Sequence, residues 1–130
     1  MTIRPGTDHV GELQAWNMNT GERAWTREFE SHNWGGVLTT AGNLVFAGGT
    51  SDRYFRAFDA RTGEQLWQFR TNSGVIGVPS TYSVDGVQYV AVQSGWGVDA
   101  ASMTRRLDQA LGTNTFVPQG GVIWVFALRR

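Results

Sequence analysis

An internal repeat constrains this chain more than any other feature. The segment Leu13-Gln14-Ala15-Trp16-Asn17-Met18-Asn19-Thr20-Gly21-Glu22-Arg23-Ala24-Trp25 returns 42 residues later as Phe55-Arg56-Ala57-Phe58-Asp59-Ala60-Arg61-Thr62-Gly63-Glu64-Gln65-Leu66-Trp67, with Ala, Thr, Gly, Glu and Trp at equivalent positions. Each copy reads as strand, turn, strand. The Asn/Asp-x-x-Thr-Gly stretch offers side-chain acceptors to the local backbone and a glycine that tolerates positive φ. The tryptophan just past the turn has the area to pack over a small alanine of the neighbouring unit and so to staple adjacent sheets face to face. A period of this length matches a four-stranded propeller blade. The fold expected is therefore all-β, a partial β-propeller of two to three blades.

The stretches between the motifs supply further strands. Gly36 to Thr40 and Leu44 to Ala47 flank the turn Ala41-Gly42-Asn43, while Val78 to Ser83 and Val87 to Val92 flank Val84-Asp85-Gly86. The apolar run Val122 to Leu128 takes the place of Phe55 to Ala60. The resulting division has residues 11–30 closing one blade, 35–70 forming a complete blade, and 75–128 forming a last blade that lacks its fourth strand. In a closed propeller that strand commonly comes from the other end of the chain, so a C-terminal fragment is expected. Residues 94–120 break the period as an inserted loop, and within it Met103, Leu107, Ala110 and Leu111 recur at helical spacing before Gly112 as a stop. A loop this long in a compact domain is a lid, a binding wall or a disordered insertion.

Composition supports the all-β reading and removes several function classes. Seventeen glycines and six tryptophans disfavour helix and suit pleated, half-buried surfaces. Eleven basic residues balance eleven acidic ones, and the longest basic run is Arg129-Arg130, so the electrostatic footprint of a nucleic-acid binder is missing. The absence of cysteine excludes disulfides and thiolate chemistry. No stretch approaches the roughly 18 apolar residues of a membrane span, and the opening residues have no apolar leader core. His9 and His32, with no third ligand at helical or hairpin spacing, suggest no metal site. Thr7-Asp8-His9 has no accompanying Gly-x-Ser-x-Gly elbow, and Asp85-Gly86 reads as a hairpin turn.

The paired Ala-x-Asn/Asp-x-x-Thr-Gly-x-x-x-Trp segments resemble the tryptophan-docking motif of the eight-bladed quinoprotein alcohol dehydrogenases, a family that includes the methanol and ethanol dehydrogenases. Further segments add to the likeness in order: His32-Asn33-Trp34-Gly35-Gly36, Asn72 to Pro79, Gln88 to Gly97, and Gly120 to Leu128. Asn17 stands where the family usually has aspartate. The resemblance implies oxidation of primary alcohols to aldehydes in the periplasm, with pyrroloquinoline quinone (PQQ), a bound calcium or lanthanide ion, and a cytochrome as electron acceptor. It also implies that the catalytic aspartate, the metal ligands and a vicinal disulfide belong to earlier blades, so no catalytic or metal-binding residue is assigned here. A chain of this kind is expected to need the remainder of its own polypeptide, to be inactive alone, and to self-associate through uncovered apolar faces.

The family places a Trp-Gly pair beside the quinone. By that likeness Asn33, Trp34 and Gly35 are candidates for cofactor contact, against a plain role at the start of an inner strand. The equivalent of Trp34 in the next repeat is Ile76, so blade packing alone does not demand an aromatic there. Trp96, between Gly95 and Gly97, is a candidate wall of the substrate cavity, or an ordinary loop anchor. Trp25, Trp67 and Trp124 are assigned to blade docking and strand burial. The competing reading is a cofactor-free propeller scaffold similar to outer-membrane assembly lipoproteins, which would need the docking tryptophans but not Asn33-Trp34-Gly35 or the insertion.

Overall fold

The computed structural model describes residues 4–129. Met1 to Ile3, at the head of the segment inspected for a leader, and Arg130 of the basic pair lie outside the described residues. Nine strands and one helix follow in the order β1 (Gly11–Asn17), β2 (Glu22–Phe29), β3 (Val37–Thr39), β4 (Leu44–Ala47), β5 (Tyr54–Asp59), β6 (Gln65–Arg70), β7 (Ser80–Val84), β8 (Val87–Ser94), α1 (Gly97–Leu111) and β9 (Val122–Ala127). They form three antiparallel sheets, β1-β2, β3-β4-β5-β6 and β7-β8-β9, the arrangement of a β-propeller fragment.

The two copies of the repeat fold alike, because the signals that shape them are local. Asn17 Oδ1 accepts from the N–H groups of Asn19 (2.9 Å) and Thr20 (3.3 Å), and Asp59 Oδ1 from those of Arg61 (2.8 Å) and Thr62 (2.9 Å). The glycines that close the two turns stand at φ +71° (Gly21) and +72° (Gly63) and donate to Asn17 and Asp59 carbonyls at 2.8 Å. Even the irregularity is shared: the register slips between Ala15 and Trp16 in one hairpin and between Ala57 and Phe58 in the other. The β7–β8 turn has Asp85 at φ +49° and Gly86 at +77°, the two positive values a type I′ turn requires.

The inner strands of the central sheet, β4 and β5, are buried on both faces. Alternate residues of β4 and β5 point to opposite sides. Val45, Ala47 and Phe58 pack with Leu13 of β1 on one side, while Phe46, Phe55 and Ala57 pack with Val90 and Val92 of β8 on the other. Burial on two sides explains why β4 reads Leu-Val-Phe-Ala without polar alternation. An aromatic cluster joins the central and last sheets, with Phe126 of β9 5.0 Å from Trp67, 5.2 Å from Phe69 and 5.9 Å from Phe55, centroid to centroid.

Tertiary packing adds two contacts to the sequence reading and corrects one expectation. The Trp25 ring covers Gly63, where an added Cβ would sit 2.6 Å from Cδ2, packs with Ala60 against the cluster that holds Ala47, and donates its Nε1–H to the Ala60 carbonyl at 2.9 Å. The turn thus protrudes toward the preceding sheet. Leu13 is buried because β1 lies across β4 and β5, whereas Trp16, Ile123 and Val125 remain exposed. The helix forms with Gly112 as its left-handed cap (φ +68°), but it buries Ala100 and Thr104, while Ala110 and Leu111 of the expected apolar face are exposed. Its N-terminal half is tied to Trp96 and His32, Leu107 is half-buried beside the cleft, and the last turn is exposed.

Candidate functional site

The site is built where the chain passes from one sheet to the next. The segment Ser31–Trp34 leads from β2 toward β3 and is pinned to the β4–β5 loop: the Trp34 N–H donates to the Gly49 carbonyl (3.0 Å) and the Ser51 N–H to Ser31 Oγ (2.9 Å). Gly35 sits so close to Gly48 and Val75 that an added Cβ would lie 2.8 Å from the Val75 carbonyl oxygen. Its identity is therefore already required by backbone crowding. Gly77, its counterpart in the next repeat, is crowded in the same way by the Gln93 carbonyl at 2.9 Å.

The matching segment before β7 is tied to the head of the insertion. Val75 bridges Gly95 in parallel and the Gly95 N–H donates to the Gly74 carbonyl at 2.7 Å. This clamp brings Trp96 down on Gly74, where no side chain fits: a Cβ there would lie 2.7 Å from Trp96 Cδ2. Ser73 Oγ donates to the Pro118 carbonyl (2.5 Å), and Ser94 Oγ donates to Asn72 Oδ1 (2.5 Å) while accepting from Trp124 Nε1 (3.1 Å). The insertion is thus held at both of its ends.

His32 connects the two segments. Its ring stacks on Trp96 at 5.4 Å with 22° between planes and meets Trp34 edge-on at 5.8 Å and 78°. Its Nε2 lies 3.0 Å from Thr104 Oγ1 on α1. Because the Thr104 hydroxyl spends its one proton on the Ala100 carbonyl (2.8 Å), it accepts from His32, which fixes the neutral tautomer with hydrogen on Nε2. Burial holds the His32 pKa below the usual histidine value. Its Nδ1 lone pair is then buried without a partner. Four buried side-chain polar atoms lack partners among the described residues, and three of them, His32 Nδ1, Asn33 Oδ1 and Trp96 Nε1, belong to this cluster. Such atoms are costly and call for a reason.

The candidate residues named from sequence occupy distinct positions here. Trp34 is 41% exposed and presents an open ring, whereas Trp96 is 1% exposed and forms the floor beneath His32. On the other side of His32 an open cleft is lined by Phe29, Arg56, Thr104, Leu107 and Leu111. Asp52 and Arg56 pair at its edge. Burial alone would raise the Asp52 pKa, but bonds from Arg56, Thr50 and the Tyr54 N–H outweigh it and hold the carboxyl below its ordinary value. His32 stands in the sequence as the head of the Asn33-Trp34-Gly35 segment with no role of its own, and Thr104 carries no motif. The available signal was a hydroxyl residue one turn after Ala100 on a face that also carries Ala101 and Leu107.

His9 also has more neighbours than its spacing suggested. The β1–β2 register sets Glu12 opposite Glu28, and His9 lies between carboxylates, with Nδ1 2.7 Å from Asp8 and 3.8 Å from Glu28, and Nε2 2.5 Å from Glu12. Asp8, His9 and Glu28 converge closely enough to hold a cation. Bonds from Asp8 and Glu12 raise the His9 pKa, so both ring nitrogens are engaged as N–H donors and the cluster is a surface ion-pair network.

Comparison with known proteins agrees with this architecture. The family model described as the β-propeller domain of PQQ-dependent glucose/ethanol/alcohol dehydrogenase matches residues 7–90. A quinoprotein ethanol dehydrogenase of Pseudomonas putida is 44% identical over 128 residues, covering 93% of this chain and 19% of that protein. Subunit 1 of the methanol dehydrogenase (cytochrome c) of Methylobacterium organophilum is 39% identical over 137 residues, covering 96% of this chain and 22% of that protein. Among solved structures, a europium-containing methanol dehydrogenase superposes with a TM-score of 0.73 at 33% identity, covering 95% of this chain and 24% of that one. The chain spans about a fifth of the length of the curated relatives it matches. On the family match over residues 7–90, together with the three stacked antiparallel sheets, the chain belongs to the PQQ-type β-propeller family of the quinoprotein alcohol dehydrogenases.

Proposed function

We propose that this chain is part of a quinoprotein dehydrogenase that oxidises primary alcohols to aldehydes, and that it contributes one side of the quinone pocket and of the substrate cavity. The carrying observation is the pairing of an open Trp34 ring with a buried, unpartnered Asn33 carboxamide oxygen at the start of an inner strand. A planar quinone needs an aromatic face to lie against and polar groups at its rim, and these two residues offer both. Gly35, whose identity is set by crowding, would meet the group through its backbone. Trp96, 1% exposed and held rigidly on Gly74, would back the wall of the substrate cavity from beneath His32.

When bound, the quinone supplies the two-electron acceptor for the alcohol. The residues of this chain bind and orient. Calcium or lanthanide ligands and the acid–base residue are assigned to other parts of the enzyme, and a cytochrome is the proposed acceptor, by analogy with the methanol dehydrogenase (cytochrome c) relative. Periplasmic location is proposed from the family resemblance alone. A cofactor-free scaffold would use the docking tryptophans but would leave the unpartnered atoms of His32, Asn33 and Trp96 without a purpose.

The test is quinone affinity in the whole enzyme. Loss of one stacked ring is worth about 1 kcal/mol or more, so Trp34→Ala should weaken PQQ binding roughly tenfold. The chain expressed by itself should reduce no dye with ethanol, PQQ and either ion present. Unchanged PQQ affinity in Trp34→Ala, or dye reduction by the chain alone, would overturn the assignment.

A further inference from the structure

We infer that His32 is the positioning residue of this site, fixing the inserted helix α1 and the Trp96 wall against the strand-start segment that carries Asn33 and Trp34. The inference rests on the reading under Proposed function for its consequence, but not for its geometry. Three contacts of one ring carry it: the stack on Trp96, the edge contact with Trp34, and the Nε2 bond to Thr104 on α1.

No other side-chain hydrogen bond among the described residues joins α1 to a strand or to the segment before β3. Asp108 bonds only to Thr113 and Thr115, which follow the helix itself. The remaining attachment of α1 is apolar, through Ala100 and its packing with Trp96 and Val117. The cluster is therefore braced at one point. Thr104 is 7% exposed, so its bond with His32 is shielded from competing water. The neutral ring that the tautomer argument requires is the form that burial favours.

The chemistry at stake is the shape and rigidity of the cavity wall, not a bond-making step. If His32 holds Trp96 and α1 at the spacing that Trp34 needs, loosening it should affect how well an alcohol is held more than how fast it reacts once held. Alcohols whose carbon chains reach the wall should feel this more than methanol does.

The experiment compares three variants in the whole, quinone-loaded enzyme. His32→Phe keeps the stack and removes the bond; Thr104→Val keeps the shape and removes the acceptor; His32→Gln keeps an N–H donor for Thr104 and removes the ring. Hydrogen exchange of the α1 amides reports the brace without reference to turnover. A shielded hydrogen bond of ordinary strength corresponds to about a tenfold change in local opening. His32→Phe and Thr104→Val should each speed α1 exchange by about that factor, with His32→Gln restored toward the parent. In the same two variants KM for 1-butanol should rise more than kcat falls, and more than KM for methanol rises. Unchanged α1 exchange in His32→Phe and Thr104→Val would overturn the brace itself. Faster exchange with an unaltered KM for 1-butanol would overturn its role in the site. Failure of the broader functional reading would appear elsewhere, as unchanged PQQ affinity in Trp34→Ala.

Discussion

The repeat contains its own control for tryptophan docking. Gly21 and Gly63 close equivalent turns at φ +71° and +72°, so an alanine at either suffers the same left-handed backbone penalty, about 1 kcal/mol. Their surroundings differ. A Cβ at Gly21 meets nothing within 4 Å, whereas one at Gly63 would lie 2.6 to 2.9 Å from three atoms of the Trp25 ring. Gly63→Ala must therefore push the indole away and strain its Nε1 bond to the Ala60 carbonyl. It also disturbs the bond from Arg27 Nε to the Gly63 carbonyl. Overpacking of this kind typically costs about 1–3 kcal/mol, and a lost hydrogen bond about 1. The expected destabilisation is about 1 kcal/mol for Gly21→Ala and about 3–5 for Gly63→Ala. Urea unfolding followed by tryptophan fluorescence, compared at unchanged slope, measures both. Equal midpoint shifts in the two variants would refute the claim that Trp25 staples its sheet to the next one.

The two histidines should titrate in opposite directions. NMR of the imidazole resonances is expected to place His9 above 6.5 and His32 below it, and Glu12→Gln should lower the His9 value. His9 then contributes stability that is complete below about pH 6.5 and lost as the pH rises through its folded pKa. His32 contributes stability present above about 6.5 and lost as the pH falls through its lowered value. Finally, all of β7 is exposed, with Tyr82 at 45%, and β9 is an edge strand with Ile123 at 73% and Val125 at 52%. The chain expressed alone should therefore sediment at micromolar concentration as more than a monomer, and Val125→Lys should reduce this. A compact monomer with a sharp thermal transition would contradict that expectation.

What the sequence determined by itself was whatever is settled within a few residues. The Asn17 and Asp59 turns, the type I′ turn at Asp85-Gly86 and the Gly112 helix stop are each decided by side chains bonding to adjacent backbone or by a glycine at positive φ. The period of the repeat then carried the all-β propeller class. Tertiary structure decided the rest. His32 and Thr104 are 72 residues apart and meet only because the Val75–Gly95 bridge sets the insertion down beside the strand start. Trp25 covers Gly63 because the turn of the next sheet projects onto it. Leu13 is buried because a whole sheet lies across β1, and no local pattern records that. The helical spacing of Met103, Leu107, Ala110 and Leu111 announced a helix correctly but not its contact face, because the helix meets Trp96 and His32 through Ala100 and Thr104 and leaves its last turn exposed. Spacing along a chain fixes which residues share a face; what that face meets depends on where distant segments cross.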